Sequence, residues 1–298
     1  LQGLHRPRQG GLHRLARRAG VITRFAPSPT GPLHLGHAYA ALIAHDMARA
    51  AGGRFLLRIE DIDRARAKPQ WEAQLLEDLA WLGITWDGPV LRQSDRLPLY
   101  RDTLATLWQK GLLYSCACSR RDIEQAASAP QEGVPLGPDG IVYPGTCRES
   151  GRPRPGEGLP DTALRLRMDL AATATGFEET GPAHRGHHRI NPETMIRSVG
   201  DIVLARREMG TSYHLAVVLD DAAQGVTHVS RGEDLFEATC IHVTLQRLLG
   251  LPVPVYHHHG LIRDAAGKRL AKRDDARALA KYRSEGATPE DIRRLIGL

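Results

Sequence analysis

The spacing of apolar residues in the first part of the chain predicts strands that alternate with helices. Val21 to Ala26 and Arg54 to Glu60 are short, mostly apolar runs that are typical of strands. From His34 onwards, from Pro69 to Leu82 and from Arg96 to Lys110, apolar residues recur at three- and four-residue steps, which predicts three helices. Strands that alternate with helices favour a parallel sheet, so we expect an α/β fold.

Proline and glycine interrupt this alternation in the middle of the chain, and it resumes afterwards. Residues 126–160 are rich in both. Apolar runs follow at 213–219 and 226–230, then a predicted helix at about 233–249 and a predicted strand near 253–257. We therefore expect one α/β domain that is split by an insertion. The expected divisions are a basic tail at 1–20, the first half of the α/β domain at 21–115, the inserted subdomain at 116–160, the rest of the insertion and the second half of the domain at 161–275, and a short helical segment at 276–298.

Composition limits the classes of protein that fit this pattern. The 298 residues are 42% hydrophobic, enough for one large domain or two modest ones, and no apolar run reaches the ~18 residues that a membrane span needs. The net charge of +6 suggests an acidic partner, but residues 1–20 contribute five arginines and no acid, leaving about +1 for the rest. We expect this tail to be disordered or an over-extended start. Four cysteines and no secretory signal favour the reducing cytoplasm.

The loop between the first predicted strand and the first predicted helix is rich in proline and glycine. Pro27, Pro29, Gly31 and Pro32 exclude regular structure there and deliver the chain to a helix N-terminus in a set geometry. A helix N-terminus has unpaired N–H groups and a positive partial charge, so it attracts phosphate.

Two histidines open this helix. His34 and His37 are three residues apart, so both can point the same way and donate hydrogen bonds to phosphate oxygens. Gly36, between them, lets a flat ring approach the backbone. The alternative is a histidine pair that only caps the helix.

Charged residues follow two other predicted strands. Arg58 and Glu60 end one strand and lead into Asp61, Asp63 and Arg64, where an acid can hold a substrate ammonium or a ribose, because ligands of open α/β sheets bind beyond the carboxyl ends of strands. The alternative is a solvated, salt-bridged loop.

Two basic stretches later in the chain suggest contacts with anions. In SRGEDL (230–235), Arg231 can clamp a carboxylate through two parallel hydrogen bonds. The lysines of GKRLAKRDD (267–275) can neutralise a polyphosphate, although a bare charge run is also typical of a solvated loop.

Five ordered motifs, spread over about residues 21–275, together resemble the class I aminoacyl-tRNA synthetases of the glutamyl branch. RFAPSPTGPLHLGH (24–37) is similar to the HIGH segment, and RLAKR (269–273) occupies the KMSKS position. FLLRIEDIDRAR (55–66), YHLAVVLDD (213–221) and VTHVSRGEDL (226–235) match the glutamyl and glutaminyl pattern. In RLAKR, Arg269 and Ala271 depart from the family pattern while Lys272 is kept, so the positive charge is preserved but the serine hydroxyl is not.

The resemblance implies a Rossmann-type catalytic domain that uses ATP and Mg²⁺ to convert glutamate to an acyl-adenylate and then passes the acyl group to an RNA hydroxyl. It implies His34, His37 and Lys272 as catalytic residues, which with Gly36 would bind ATP. The residues that would enclose glutamate are Arg24, Phe25, Ala26, Pro27, Ser28, Glu60, Tyr213 and Arg231. Among these, arginine suits the side-chain carboxylate and Glu60 suits the ammonium.

Three cysteines near the inserted region suggest a metal. Cys116, Cys118 and Cys147 supply three soft ligands, whereas a structural zinc needs four, and no histidine lies between residues 46 and 183. Free buried thiols are the alternative. The glutamyl-queuosine tRNA(Asp) synthetases bind zinc through Cys-x-Cys and Tyr-xxx-Cys, and this resemblance implies Tyr143 as the fourth ligand of one structural zinc per chain. Cys240 is expected in the core, and we assign no metal to the histidine runs at 187–188 and 257–259.

The end of the chain points to the same branch. Ordinary glutamate–tRNA ligases carry large helical anticodon-binding domains after KMSKS, whereas 26 residues follow Lys272 here. We therefore expect a cytoplasmic monomer that glutamylates the queuosine base at the wobble position of tRNA(Asp). The alternatives are a truncated glutamate–tRNA ligase charging the 3′ end of tRNA(Glu), and a catalytically dead, zinc-stabilised RNA-binding module.

Overall fold

The structure is a computed structural model that describes residues 20–128, 134–262 and 277–298. Most of the expected basic tail and the whole KMSKS-like stretch, including Lys272, lie outside the described residues.

The first half of the chain forms a parallel sheet with helices on it, and the strands and helices predicted there are confirmed with shifts of one or two residues at their ends. Strands β1, β2 and β3 pair in parallel in the order β1-β2-β3. Phe55, Leu57 and Ile59 of β2 are fully buried beneath the helices, which explains the apolar run. The elements are β1 (Ile22–Phe25), α1 (Leu35–Ala50), β2 (Arg54–Ile59), α2 (Pro69–Trp81), β3 (Leu91–Arg92) and α3 (Leu97–Gln109).

The middle of the chain builds a separate antiparallel sheet. Strand β7 pairs with β4 on one side and with β10 on the other, so the chain between β4 and β7 leaves this sheet and returns to it. The middle of the chain also contains elements outside this sheet. In chain order its elements are β4 (Leu113–Cys116), α4 (Arg120–Ala127), β5 (Leu136–Gly137), β6 (Gly140–Ile141), β7 (Ala163–Leu166), α5 (Met168–Ala171), β8 (Thr175–Glu179), β9 (Gly186–Ile190), α6 (Pro192–Thr194), which continues as a single π turn, and β10 (Val203–Ala205).

The second half resumes the parallel pattern. Strands β11 and β12 pair in parallel, and β8 and β9 extend their sheet in the order β11-β12-β8-β9. The backbone N–H of Thr227 donates to the carbonyl of Ile22 over 3.0 Å, which brings β11 beside β1. The carboxyl ends of β2, β1, β11 and β12 therefore meet along one edge. The elements are α7 (Tyr213–Ala223), β11 (His228–Gly232), α8 (Thr239–Leu248), β12 (Val255–His259), α9 (Leu279–Ser284) and α10 (Pro289–Ile296).

The helix expected from about residue 233 begins only at Thr239, after a 3₁₀ turn at Glu233–Leu235. The carbonyl of Leu235 accepts hydrogen bonds from the side chains of Arg231 and Thr239 instead of a helical N–H. Side chains four residues away on either side therefore use the carbonyl that a continuous helix would pair with the N–H of Thr239.

The apolar core lies on both sides of the parallel sheet. One side packs α1 and α2 against the last two helices, with Leu279, Ile292 and Ile296 buried between them. The other side packs α3, α7 and α8. Within the described ranges, no helix is both long and apolar enough to cross a membrane.

Candidate active site

A cavity of about 630 Å³ opens at the edge where the carboxyl ends of the parallel strands meet. It lies where open α/β sheets bind their ligands. Every residue expected to contact glutamate or ATP in the described part of the chain lines it: Arg24, Phe25, Ala26, Pro27, Ser28, His34, Gly36, His37, Glu60, Tyr213 and Arg231.

The two histidines of the loop cap α1 and also line the cavity. Nδ1 of His34 accepts the N–H of Gly36 over 3.1 Å, and Nδ1 of His37 accepts the N–H of His34 over 3.2 Å. Since each Nδ1 accepts, the proton of each neutral ring lies on Nε2. Capping therefore fixes two N–H donors beside a helix N-terminus, so capping is compatible with binding phosphate.

A side chain at position 36 would make the ring of His34 shift by a few tenths of an ångström. A Cβ atom at position 36 would lie 3.0 Å from Cε1 of His34, closer than carbon atoms normally approach. The flat ring that Gly36 admits is therefore that of His34.

A buried network of charges lies behind the cavity and reaches its wall through Arg24 and Glu60. Asp221 accepts hydrogen bonds from Nε of Arg24 over 3.0 Å and from Nη1 of Arg58 over 2.7 Å, while Nη2 of Arg58 lies 3.4 Å from Glu60. Burial raises the pKa of Glu60, an effect that the charges of Arg58 and Arg24 partly offset. Thus Arg58 and Glu60 are buried groups of one network. The expected alternative of a solvated, salt-bridged loop describes the exposed Arg64 and also Asp63, which pairs with the exposed Arg66.

Asp220 anchors a second buried group of polar side chains, which reaches the cavity wall through Gln93. It accepts hydrogen bonds from Nε2 of Gln93 (2.9 Å), Nε of Arg96 (2.6 Å) and the hydroxyl of Tyr100 (2.7 Å). The sequence interpretation missed Asp220 and Asp221 as the partners that hold cavity-lining side chains. The available signal was a pair of adjacent acids on an otherwise apolar helix, which implies buried partners.

Arg231 lies in the cavity wall, and its hydrogen-bond partners among the described residues are neutral groups. Nε donates to Nε2 of His258 over 3.0 Å and Nη1 to Nδ1 of His242 over 2.9 Å. Nη2 donates to Oγ1 of Thr239 over 2.8 Å and to the carbonyl of Leu235 over 3.3 Å. Across residues 20–128, 134–262 and 277–298, no carboxylate lies within 4.0 Å of this buried guanidinium. Sequence reasoning missed both histidines.

Residues 20–298 match the protein family described as tRNA synthetases class I (E and Q), catalytic domain. The chain belongs to this family. It is therefore a ligase of the class I tRNA synthetase type, and the α/β fold with a parallel sheet that the sequence predicts is confirmed.

Curated relatives of this class I synthetase carry a more specific name. The "Glutamyl-Q tRNA(Asp) synthetase" of Rhodobacter capsulatus is 88% identical over 278 residues, which cover 93% of this chain and all of that protein. The protein of the same name from Nocardia farcinica is 46% identical over 93% of this chain and 84% of its own length.

A similar solved structure is a glutamate tRNA ligase from Elizabethkingia meningosepticum in complex with its amino acid. The two are 28% identical, with a TM-score of 0.71 over 91% of this chain. This chain spans 59% of the length of that ligase.

A group of metal-type ligands lies in the middle region of this class I synthetase. The sulfur atoms of Cys116, Cys118 and Cys147 all lie within 4.8 Å of one another. The hydroxyl of Tyr143 is 3.4 Å from the sulfurs of Cys116 and Cys118. Cys240, in contrast, is half-buried on α8 and packs against the core. The described residues thus bring together the four side chains expected to bind zinc, and this cluster can hold a metal ion.

Proposed function

We propose that this chain activates glutamate with ATP to form glutamyl-adenylate and transfers the glutamyl group to the queuosine base at the wobble position of tRNA(Asp). The observation that carries the proposal is the 88% identity to a protein named "Glutamyl-Q tRNA(Asp) synthetase", matched over its full length. The charges and donors that line the cavity support the activation of glutamate with ATP.

The glutamate half of the cavity offers groups for both ends of the amino acid. Arg231 is a buried cation without a carboxylate neighbour among the described residues, and it suits the side-chain carboxylate of glutamate. Arg24 adds a second positive charge, although Asp221 already accepts from its Nε. Glu60 suits the substrate ammonium. Burial raises the pKa of Glu60 and so disfavours its ionised form, whereas the positive charge of the ammonium would favour that form. Phe25, Ala26, Pro27, Ser28 and Tyr213 would complete the enclosure.

The ATP half lies around the start of α1. His34 and His37, with Gly36 between them, would approach the phosphates with Nε2–H groups beside the positive end of the helix. Such donors stabilise the charge that develops on the α-phosphate as the glutamate carboxylate attacks it and pyrophosphate leaves. Lys272, outside the described residues, would neutralise the pyrophosphate together with Mg²⁺.

We also propose one structural zinc ion, held by Cys116, Cys118, Tyr143 and Cys147. The phenolic oxygen of Tyr143 accepts the N–H of Cys147 over 2.9 Å, which orients it among the sulfurs. Sulfurs that share a tetrahedral zinc lie ~3.8 Å apart, close to the 3.4 Å between Cys118 and Cys147.

A nearby cation makes this ligand set more suitable for a metal. Nε of Arg165 lies 3.3 Å from the sulfur of Cys116, and its guanidinium lies 3.8 Å from the ring centre of Tyr143. This charge would offset the excess negative charge of three thiolates and a phenolate around Zn²⁺.

The acceptor can be tested with three RNAs in the presence of ATP and labelled glutamate. We expect label in tRNA(Asp) that contains queuosine, and none in queuosine-free tRNA(Asp) or in tRNA(Glu). Removal of the terminal adenosine from queuosine-containing tRNA(Asp) should leave the labelling intact, because the wobble base is untouched. Labelling that needs the terminal adenosine, or that prefers tRNA(Glu), would establish the alternative ligase. Absence of glutamate-dependent ATP–pyrophosphate exchange, with or without tRNA, would favour the inactive RNA-binding module.

We further propose that the protein acts as a monomer in the cytoplasm.

A further inference from the structure

The hydrogen bonds around Arg231 define the protonation of both histidines that bracket it. A guanidinium only donates, so Nε2 of His258 and Nδ1 of His242 must both be acceptors. The proton of His258 therefore lies on Nδ1, which donates to Glu179 over 2.5 Å. The proton of His242 lies on Nε2, which donates to Nδ1 of His214 over 3.0 Å.

Both histidines that hold the arginine are neutral. Burial, reinforced by the charge of Arg231, lowers the pKa of His258 to about 4 and the pKa of His242 well below its ordinary value. Each ring is also buried in the protein interior.

Histidine rings separate the guanidinium of Arg231 from the two carboxylates at the ends of its hydrogen-bond chains. Glu179 reaches Arg231 only through the ring of His258, and its other oxygen accepts the backbone N–H groups of His258 and Gly181. On the other side, Asp139 accepts from Nε2 of His214 over 3.2 Å, two rings away from the guanidinium. Arg231 is thus oriented by rigid rings while its charge stays uncancelled by any described carboxylate within 4.0 Å.

We propose that His242 and His258 are positioning residues that make the cavity specific for a substrate carboxylate, because they fix Arg231 with neutral acceptors and leave its charge for the γ-carboxylate of glutamate. This inference rests on the proposed function. A carboxylate in place of either ring would fix the guanidinium equally well, but it would compete with the substrate for the charge. Glutamine, which has the same shape and no charge, would then be rejected less strongly.

The first experiment compares His242→Asn with His242→Asp by glutamate-dependent ATP–pyrophosphate exchange. Asparagine and aspartate have nearly the same size, and either can put an oxygen where Nδ1 of the histidine lies, so the two variants differ mainly in charge. We expect the Asn variant to keep the glutamate KM within about threefold of wild type, and the Asp variant to raise it at least about tenfold. The ATP KM should stay unchanged in both, and the preference for glutamate over glutamine should fall only in the Asp variant.

A second pair keeps the inference testable if the Asp variant does not fold. His258→Gln retains an acceptor for Nε of Arg231, whereas His258→Leu removes it. We expect the glutamate KM to rise at least about tenfold more in the Leu variant than in the Gln variant, again with the ATP KM unchanged.

The outcomes separate this inference from the proposed function. Wild-type protein without glutamate-dependent exchange would overturn both. Active wild type with equal glutamate KM values in the Asn and Asp variants, or in the Gln and Leu variants, would overturn only the positioning role. A fall in kcat at unchanged glutamate KM would also contradict it, since a specificity role acts on substrate binding.

Discussion

Asp78 is a buried carboxylate, and its replacement by asparagine should stabilise the protein. Its side chain lies on α2, is fully buried, and neither oxygen has a hydrogen-bond partner in the described part of the chain. The neighbouring cation is Arg283 of α9, whose Nη2 lies 3.6 Å away. Burial dominates and raises the pKa of Asp78 from 3.8 to about 6.

The size of the effect follows from this shift. A folded-state pKa above the unfolded value means that ionisation destabilises the fold. The cost is full above about pH 6 and fades as the pH falls towards 3.8. A rise of about two pKa units corresponds to about 3 kcal/mol at pH 8 and to about half of that at pH 5. A neutral asparagine at this position would avoid the cost, and Arg283 would not be left as a buried charge, because its side chain is 32% exposed.

The assay is denaturant unfolding of wild type and Asp78→Asn at pH 8 and pH 5. We expect the variant to be more stable by up to about 3 kcal/mol at pH 8, with a smaller gain at pH 5. Asp87→Asn is a matched control, for which we expect the free energy of unfolding to change in the opposite direction. The N–H of Phe55 and the guanidinium of Arg49 both donate to Asp87, and the pKa of this carboxyl is lowered, so its loss should destabilise. A less stable Asp78→Asn variant, or a gain that grows as the pH falls, would refute the reasoning and show that the contact with Arg283 dominates.

Three further predictions concern the cavity and the cysteine cluster. Arg231→Ala should raise the glutamate KM by more than about 100-fold with the ATP KM unchanged, since a buried ionic contact is worth about 3–5 kcal/mol; unchanged glutamate kinetics would remove this residue from the site. Gly36→Ala should lower kcat for pyrophosphate exchange, because its Cβ would displace the ring of His34; wild-type rates would show that the ring need not hold that position. Zinc analysis should find one ion per chain in wild type and in Cys240→Ser, and markedly less in Cys118→Ser; full occupancy in the latter would contradict the ligand set.

Local patterns determined much of the fold and part of the site. The strand, the proline-rich loop and the helix that carry His34 and His37 are neighbours in the sequence, so periodicity and turn chemistry predict them together. Arg58 and Glu60, at the end of β2, were likewise expected at the edge of the sheet where ligands bind, because the position of a strand end follows from the apolar run before it. Tyr143 was expected beside the cysteines only through the family resemblance, since tyrosinate is an unusual zinc ligand.

Only the tertiary structure decided which polar groups pair across long stretches of chain. Asp221 meets Arg24 across 197 residues and Glu179 meets His258 across 79, and no local pattern specifies such partners. The order of strands in the sheet selects them, because a buried charge must be satisfied by whatever neighbour the fold brings within hydrogen-bond distance. The sequence therefore identified Arg231 as a candidate for binding a carboxylate, but the packing of β11 against β12 and α8 decided that two neutral histidines would hold it.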